Sequence, residues 1–280
     1  MKKNKKKKYL RIFGIILLII FLFSAFDVRL KTVHYTIESE KINSFIKIAL
    51  VTDLHSCKYG EGQKTLVNAV NNEEPDIVLL GGDIFDDVIP DDNTKIFLQA
   101  ISNNYPTYYV TGNHEYWSRR VDGILDWLRE NDIEILDGKT MPININGQLI
   151  SLSGVDDPDV KRYTEKEKDF YDQLEEVGGN KDNDLFTILL AHRPAFVDEY
   201  LKYNFDLILC GHAHGGQWRI PYILNGVFAP DEGWLPSYAG GLYDFNRSQM
   251  IVSRGLARES TRVPRIFNRP ELVIIELKAK

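Results

Sequence analysis

Cysteine is scarce in this chain, with two residues in 280, and neither Cys57 nor Cys210 stands in a cluster with zinc-ligand spacing. That excludes a disulfide scaffold and a thiolate zinc site. The two thiols are expected as small buried side chains at strand ends, although two could also pair. Acidic residues are absent from the first 26 positions, which hold seven basic ones. Of the 34 basic residues, 27 therefore face all 40 acidic ones in the remainder, a net charge of −13. A surface that acidic cannot neutralise a phosphate backbone, so nucleic acid is not an expected partner, and any bound phosphate needs another source of positive charge. Internal repeats and low-complexity linkers are missing as well. What is there, 44% apolar and 26% charged residues, is the balance of a chain that buries a core.

Lys2, Lys3, Lys5, Lys6, Lys7, Lys8 and Arg11 form a basic tail over residues 1–11, ahead of Ile12 to Phe26, which is apolar apart from Gly14 and Ser24. Such a segment is for targeting rather than for the fold. Fifteen residues fall short of the ~20 of a full span, but Tyr9 and Leu10 extend the stretch and Arg11 can snorkel. Phe23-Ser24-Ala25-Phe26 is a poor small-x-small cleavage site, so 12–26 reads as a single-pass anchor rather than a cleaved signal peptide. The basic excess before the anchor puts the N-terminus in the cytoplasm and the rest of the chain in the cell membrane's extracytoplasmic space. Residues 27–44 read as linker and lead-in, and 45–280 as the domain.

Within that domain, short apolar runs alternate with amphipathic stretches, as strands alternate with helices. The runs are Ile46 to Val51, Ile77 to Leu80, Thr107 to Val110, Leu149 to Ser153, Phe186 to Leu190, Leu207 to Cys210, Met250 to Ser253 and Leu272 to Leu277. Helical spacing marks Lys64 to Asn72, Thr94 to Ser102, Val121 to Asn131 and Thr164 to Val177. Residues 215–248, rich in Gly, Pro and aromatics, read as one long structured loop bordering a site. Trp218, Tyr222, Trp234, Tyr238 and Tyr243 within it are expected to pack the loop on the body rather than to stack on a ligand. Asp156-Asp157 before Pro158 reads as a turn.

Five of these runs end in the same kind of polar cluster: Asp53-Leu54-His55, Gly82-Asp83-Ile84-Phe85-Asp86, Gly112-Asn113-His114-Glu115, His192, and Gly211-His212-Ala213-His214. Carboxyl ends of strands form the ligand crevice of open α/β sheets, so the clusters should converge, taking five of the six histidines with them. Aspartate, imidazole and an amide carbonyl suit manganese, iron or zinc. One carboxylate can bridge two cations ~3.5–4 Å apart, the clamp of phosphoryl transfer, and such a pair would supply the missing positive charge. The glycines at 82, 112 and 211 are expected to turn the backbone sharply out of each strand.

In order and interval these residues resemble the calcineurin-like metallophosphoesterase superfamily. The stretches Gly154 to Pro158, Gly215-Gly216-Gln217 and Ser253 to Leu272 resemble its membrane-associated YaeI/YkuE-type branch. The resemblance implies an α/β fold of two facing mixed β-sheets flanked by helices, here preceded by a transmembrane helix. It also implies two divalent metal ions, one held by Asp53, His55, Asp83 and His214 and the other by Asp83, Asn113, His192 and His212. A hydroxide between the metals would attack phosphorus in line, His114 would assist the leaving group, and Asp86 would orient His114. No role is assigned to Glu115. The expected activity is a metal-dependent phosphodiesterase or pyrophosphate hydrolase at the membrane, with a phosphoester substrate and, in some members, a lipid-linked nucleotide. Alternatives are a nuclease of the same superfamily and a catalytically silent scaffold.

Overall fold

The strand order places the last segment of the chain between the first two. The computed structural model describes residues 2–258 and 263–280. Strands are β1 (Lys31–Ser39), β2 (Ile46–Val51), β3 (Ile77–Gly81), β4 (Thr107–Val110), β5 (Ile133–Ile135), β6 (Lys139–Ile145), β7 (Gln148–Gly154), β8 (Phe186–Leu190), β9 (Leu207–Cys210), β10 (Phe228–Ala229), β11 (Gly233–Trp234), β12 (Gly241–Phe245), β13 (Ser248–Val252) and β14 (Glu271–Ala279). Helices are α1 (Lys2–Ala25), α2 (Lys64–Glu73), α3 (Asp92–Ser102), α4 (Asn113–Trp117), α5 (Val121–Glu130), α6 (Val160–Tyr163), α7 (Phe170–Asn180) and α8 (Val197–Tyr200).

Two six-stranded mixed sheets, ordered β1-β14-β2-β3-β4-β5 and β12-β13-β9-β8-β7-β6, face each other. Alternation along each strand explains the layering. Ile48 and Leu50 of β2 join Leu79, Val110, Leu152, Ile188, Leu190 and Leu209 in the core between the sheets. Ala49 and Val51 point the other way, onto Leu66, Phe97 and Leu125 of α2, α3 and α5. The outer face of the second sheet is covered by Phe170, Leu174 and Val177 of α7 and by Tyr200 of α8. With both faces covered, β3 and β9 can be apolar throughout, and β2 and β8 nearly so, with Lys47 and Thr187 the exceptions, which is why they read as continuous runs.

Several expectations are corrected. Residues 31–39, expected in the lead-in, form β1, which pairs in parallel with β14 along nine residues. Helix α7 starts at Phe170 rather than Thr164, because the Asp169 side chain accepts the Tyr171 and Asp172 amides and fixes the start there. Residues 164–168 carry too few apolar side chains to bury a helical face. The loop at 215–248 contains the β10–β11 pair and the edge strand β12. Its aromatics divide: Tyr238 and Tyr243 pack on the core, whereas Trp218, Tyr222 and Trp234 are exposed. Cys57 and Cys210 are buried thiols. Of the Ser253 to Leu272 stretch, residues 259–262 lie outside the described residues.

Candidate metal centre

Asp53 and His55 follow β2, Asp83 and Asp86 follow β3, and Asn113 to Glu115 follow β4. From the facing sheet, His192 follows β8, and His212 and His214 follow β9. Backbone bonds latch these exits together: the Asp53 amide donates to Gly82 O at 3.0 Å, His55 to Asp83 O at 2.9 Å, and Gly211 to His192 O at 2.9 Å. Five of the side chains ride on left-handed backbone, with φ of 51° at Asp53, 48° at His55, 52° at Asp83, 65° at His212 and 46° at His214. Each such residue costs on the order of 1 kcal/mol, and a fold retains them where the geometry they impose is used.

The glycines act partly as expected. Gly82 has φ +85°, a left-handed turn, but Gly112 is extended at φ −110°. Gly112 is required by close approach, since a Cβ there would stand 2.2 Å from Asp83 Oδ1.

Ligand-type atoms of Asp53, His55, Asp83 and His214 lie within 4.8 Å of one another, and so do those of Asp83, His192 and His212. Asp83 belongs to both groups. All of these side chains are buried. Proton positions follow from partners that can only accept. His192 Nδ1 donates to Gly81 O at 2.8 Å, His55 Nδ1 to Asp86 Oδ2 at 3.0 Å, and His212 Nε2 to Asp231 Oδ2 at 3.0 Å. The remaining nitrogens, Nε2 of His55, Nε2 of His192 and Nδ1 of His212, are thus the ones that can present a lone pair to a cation in place of a proton. His192 Nε2 and His212 Nδ1 face each other at 3.2 Å, and Asp83 Oδ2 is 3.2 Å from the same His192 nitrogen. Three electron-rich atoms packed this closely call for a cation among them. Asp53 Oδ2, His55 Nε2, Asn113 Oδ1 and His214 Nδ1 are buried with no hydrogen-bond partner, which in a dry interior is costly unless something else coordinates them.

The electrostatics agree. Burial alone would lower His192, but the Asp83 carboxylate beside it pushes it up to about 10, so without a cation a proton occupies that position. Burial opposes the charge on Asp83, yet His192, His114 and His55 hold its carboxyl well below the usual range. Burial and the neighbouring His55 keep His214 well below an ordinary imidazole, hence neutral and available as a ligand. Cation binding here competes with protons, and affinity rises with pH.

A third grouping, His55, Asp86 and His114, is of another kind. Asp86 Oδ2 is 3.0 Å from His55 Nδ1 but 3.7 Å from His114 Nδ1, whereas Asp87 Oδ1 is 2.7 Å from His114 Nδ1. The expected Asp86–His114 pair is therefore replaced: Asp86 orients His55, and Asp87 holds His114. The adjacent second acid was visible in the sequence, but spacing could not say which of the two turns toward which ring. His114 is partly exposed at the mouth of the site, with its ring 4.7 Å from that of Trp117.

Glu115, to which the sequence assigned no role, is fully buried. It accepts from the amides of Asp83, Ile84, Phe85 and Gly112 at 2.8 to 3.0 Å, clamping the β3 exit to the β4 exit. Burial, together with Asp83, pushes its carboxyl up, against the opposing pull of the Phe85 and Gly112 amides and of His192.

Asp156 and Asp157 are more than a turn. The Val160 amide does donate to Asp157 O at 2.9 Å, but both carboxylates are buried. Asp157 makes a two-pronged pair with Arg193, through Nε and Nη2 at 2.7 Å each. Arg193 Nη1 reaches Asp231 at 2.6 Å, and Asp231 in turn holds His212. Asp231, in Pro230-Asp231-Glu232-Gly233, had the sequence signature of an ordinary turn and was missed. Carboxylates behind metal-binding imidazoles typically contribute 10- to 100-fold in affinity. Asp231→Asn is accordingly expected to weaken divalent-cation binding by about 10- to 100-fold, by titration calorimetry, with the thermal melting of the cation-free protein little changed.

The Gly215-Gly216-Gln217 turn is pinned by Asn268, whose Nδ2 donates to His214 O at 2.7 Å and Gln217 O at 3.1 Å. The Arg254 amide donates to Glu271 Oε1 at 3.0 Å.

Residues 46–216 match the family profile described as Calcineurin-like phosphoesterase. An uncharacterized metallophosphoesterase of Aquifex aeolicus is 34% identical over 90% of this chain and 93% of its own. The uncharacterized metallophosphoesterase YkuE of Bacillus subtilis is 26% identical over 89% of this chain and 86% of its own. A bovine transmembrane protein with metallophosphoesterase domain is 31% identical over 84% of this chain, which spans about half of it, 53%.

Proposed function

This chain belongs to the calcineurin-like phosphoesterase family, and from that premise we propose that it is a phosphodiesterase or pyrophosphate hydrolase that works with two divalent cations at a membrane surface. The observation that carries the reading is the pair of ligand clusters joined at Asp83, with unpartnered lone pairs directed into it. Asp53, His55, Asp83 and His214 would hold one cation, and Asp83, Asn113, His192 and His212 the other. When bound, the pair would neutralise phosphate charge and furnish hydroxide from water near neutral pH.

The chain's own groups do the rest. Asp83 sets the spacing, with Oδ1 tied to the His114 amide at 2.8 Å. Asp53 is fixed likewise, its Oδ1 accepting the His212 amide at 2.8 Å. With Nδ1 held by Asp87, His114 keeps Nε2 for a substrate oxygen and would return a proton to the leaving group.

Helix α1 is the proposed anchor, with the following domain outside the cytoplasm. Lys6–Ala25 is long and apolar enough to cross a bilayer, and only Ala25 among its described side chains is buried. A bovine relative is named a transmembrane protein. A domain tethered to the bilayer suits a lipid-linked phosphoester, and a lipid-linked nucleotide is one such substrate.

The test is cation content measured alongside hydrolysis of bis-p-nitrophenyl phosphate, on detergent-solubilised full-length protein stripped with chelator and refilled with manganese, iron, zinc or magnesium. Near two cations per chain with restored turnover is the expected result. Absence of any bound cation would overturn it.

A further inference from the structure

Seven exposed large apolar side chains lie on the loop beyond His214, Ile220 among them, while others such as Val88 and Tyr171 are scattered over the domain. Tyr222, Ile223, Trp234 and Leu235 are 109%, 82%, 74% and 65% exposed, and Trp218 and Phe228 are 41% and 43%. Trp234 stacks edge-on with Phe228 at 5.6 Å across the β10–β11 pair. The two rings, with Trp218, Val227 and Val263, line an apolar groove of about 290 Å³. Exposed apolar surface on this scale marks a place of contact.

What covers it follows from where α1 ends. The Phe267 amide donates to Ala25 O at 2.7 Å, and the Phe21 and Phe267 rings meet at 5.3 Å. The residue before Phe267, Ile266, is bridged to Trp218, and the Arg219 amide donates to Ile266 O at 3.0 Å. Two cross-chain spacings and one residue therefore separate Trp218 from Ala25 at the end of the anchor, at most about 13 Å. A separation this short holds Trp218 near the bilayer's interfacial zone, where Trp and Tyr concentrate. The acidic side chains of the hairpin turn inward: Asp231 to His212 and Arg193, and Glu232 to the Ser237 and Tyr238 amides.

We infer that this aromatic collar inserts into the interface of the bilayer that holds α1, which seats the domain with its metal centre at headgroup level. The inference rests on the anchor reading. It adds to that reading that the domain is docked rather than swinging on a leash, and that docking occurs through Trp218, Tyr222, Ile223, Phe228, Trp234 and Leu235. His214 lies two residues from Gly216 on the groove wall, so the docked face and the catalytic face adjoin.

The experiment reconstitutes full-length protein into phosphatidylcholine vesicles with or without bromine near the headgroup end of the acyl chains. It then compares wild type with Trp218→Phe/Trp234→Phe and with Trp234→Asp/Leu235→Asp. Two of the four tryptophans sit on the collar, so brominated lipid is expected to remove up to about half of the wild-type emission. The Phe pair should abolish that quenching. The Asp pair, both at exposed positions, should reduce it while bis-p-nitrophenyl phosphate hydrolysis stays unchanged. Protein that floats with the vesicles without quenching keeps the anchor and overturns the collar. Protein that does not float with them overturns the anchor and the collar together.

Discussion

Asp83→Asn is expected to abolish turnover for practical purposes, by about 10³-fold or more, and to lower the content of both cations at once. The amide has nearly the same volume, so the packing around position 83 survives and the loss is electrostatic. Asp83 is the one side chain common to both ligand clusters. Its Oδ2 stands 3.2 Å from His192 Nε2 and 3.6 Å from His55 Nε2. An amide offers one acceptor in place of two anionic oxygens, so neither cluster keeps its charge balance. Elemental analysis of dialysed protein reads the result directly. Loss of a single cation would show that Asp83 serves one cluster alone.

His114→Ala is expected to act differently, lowering turnover ~10²-fold or more while two cations remain bound, the usual scale for losing a general acid. The ring stands outside both ligand clusters, at the open mouth and held by Asp87. A neighbouring pair of substitutions separates the two acids. Asp87→Asn should reduce turnover with cation content intact, because it frees the His114 ring. Asp86→Asn should weaken cation binding, because it frees His55. Equal effects of both on cation binding would mean that Asp87 also supports the metal-binding imidazoles.

The contrast between Asp86 and Asp87 shows where sequence reading stops. Strand runs such as Ile77 to Leu80 were legible because a strand covered on both faces is apolar at every position, and the polar residue that ends it must lie at the sheet's edge. On that reasoning the sequence alone directs Asp53, His55, Asp83, Asn113, His192, His212 and His214 to one crevice. Edge strands were not legible. Lys31–Ser39 reads as polar because most of its side chains are at least partly exposed, and only pairing with β14 makes it a strand. The hydrogen bonds behind the site were illegible for a further reason. Whether a carboxylate turns toward one imidazole or its neighbour depends on loop torsions, and at Asp53, His55, Asp83, His212 and His214 these torsions are ones that side chains seldom adopt. Asp231 reaches His212 from a loop with no periodicity, so nothing local could announce it.

The place of β14 bears on how the protein is made. β14 lies between β1 and β2, the first two strands of its sheet. Until Glu271–Ala279 has been synthesised, β1 and β2 each carry an open edge awaiting it. Such contacts, separated by about the whole sequence, form late and slowly. A chain stopped short of Glu271 leaves two unpaired edges, the kind of surface that aggregates or is degraded. The first sheet therefore closes only once β14 is in place, and with it β2, whose exit carries Asp53.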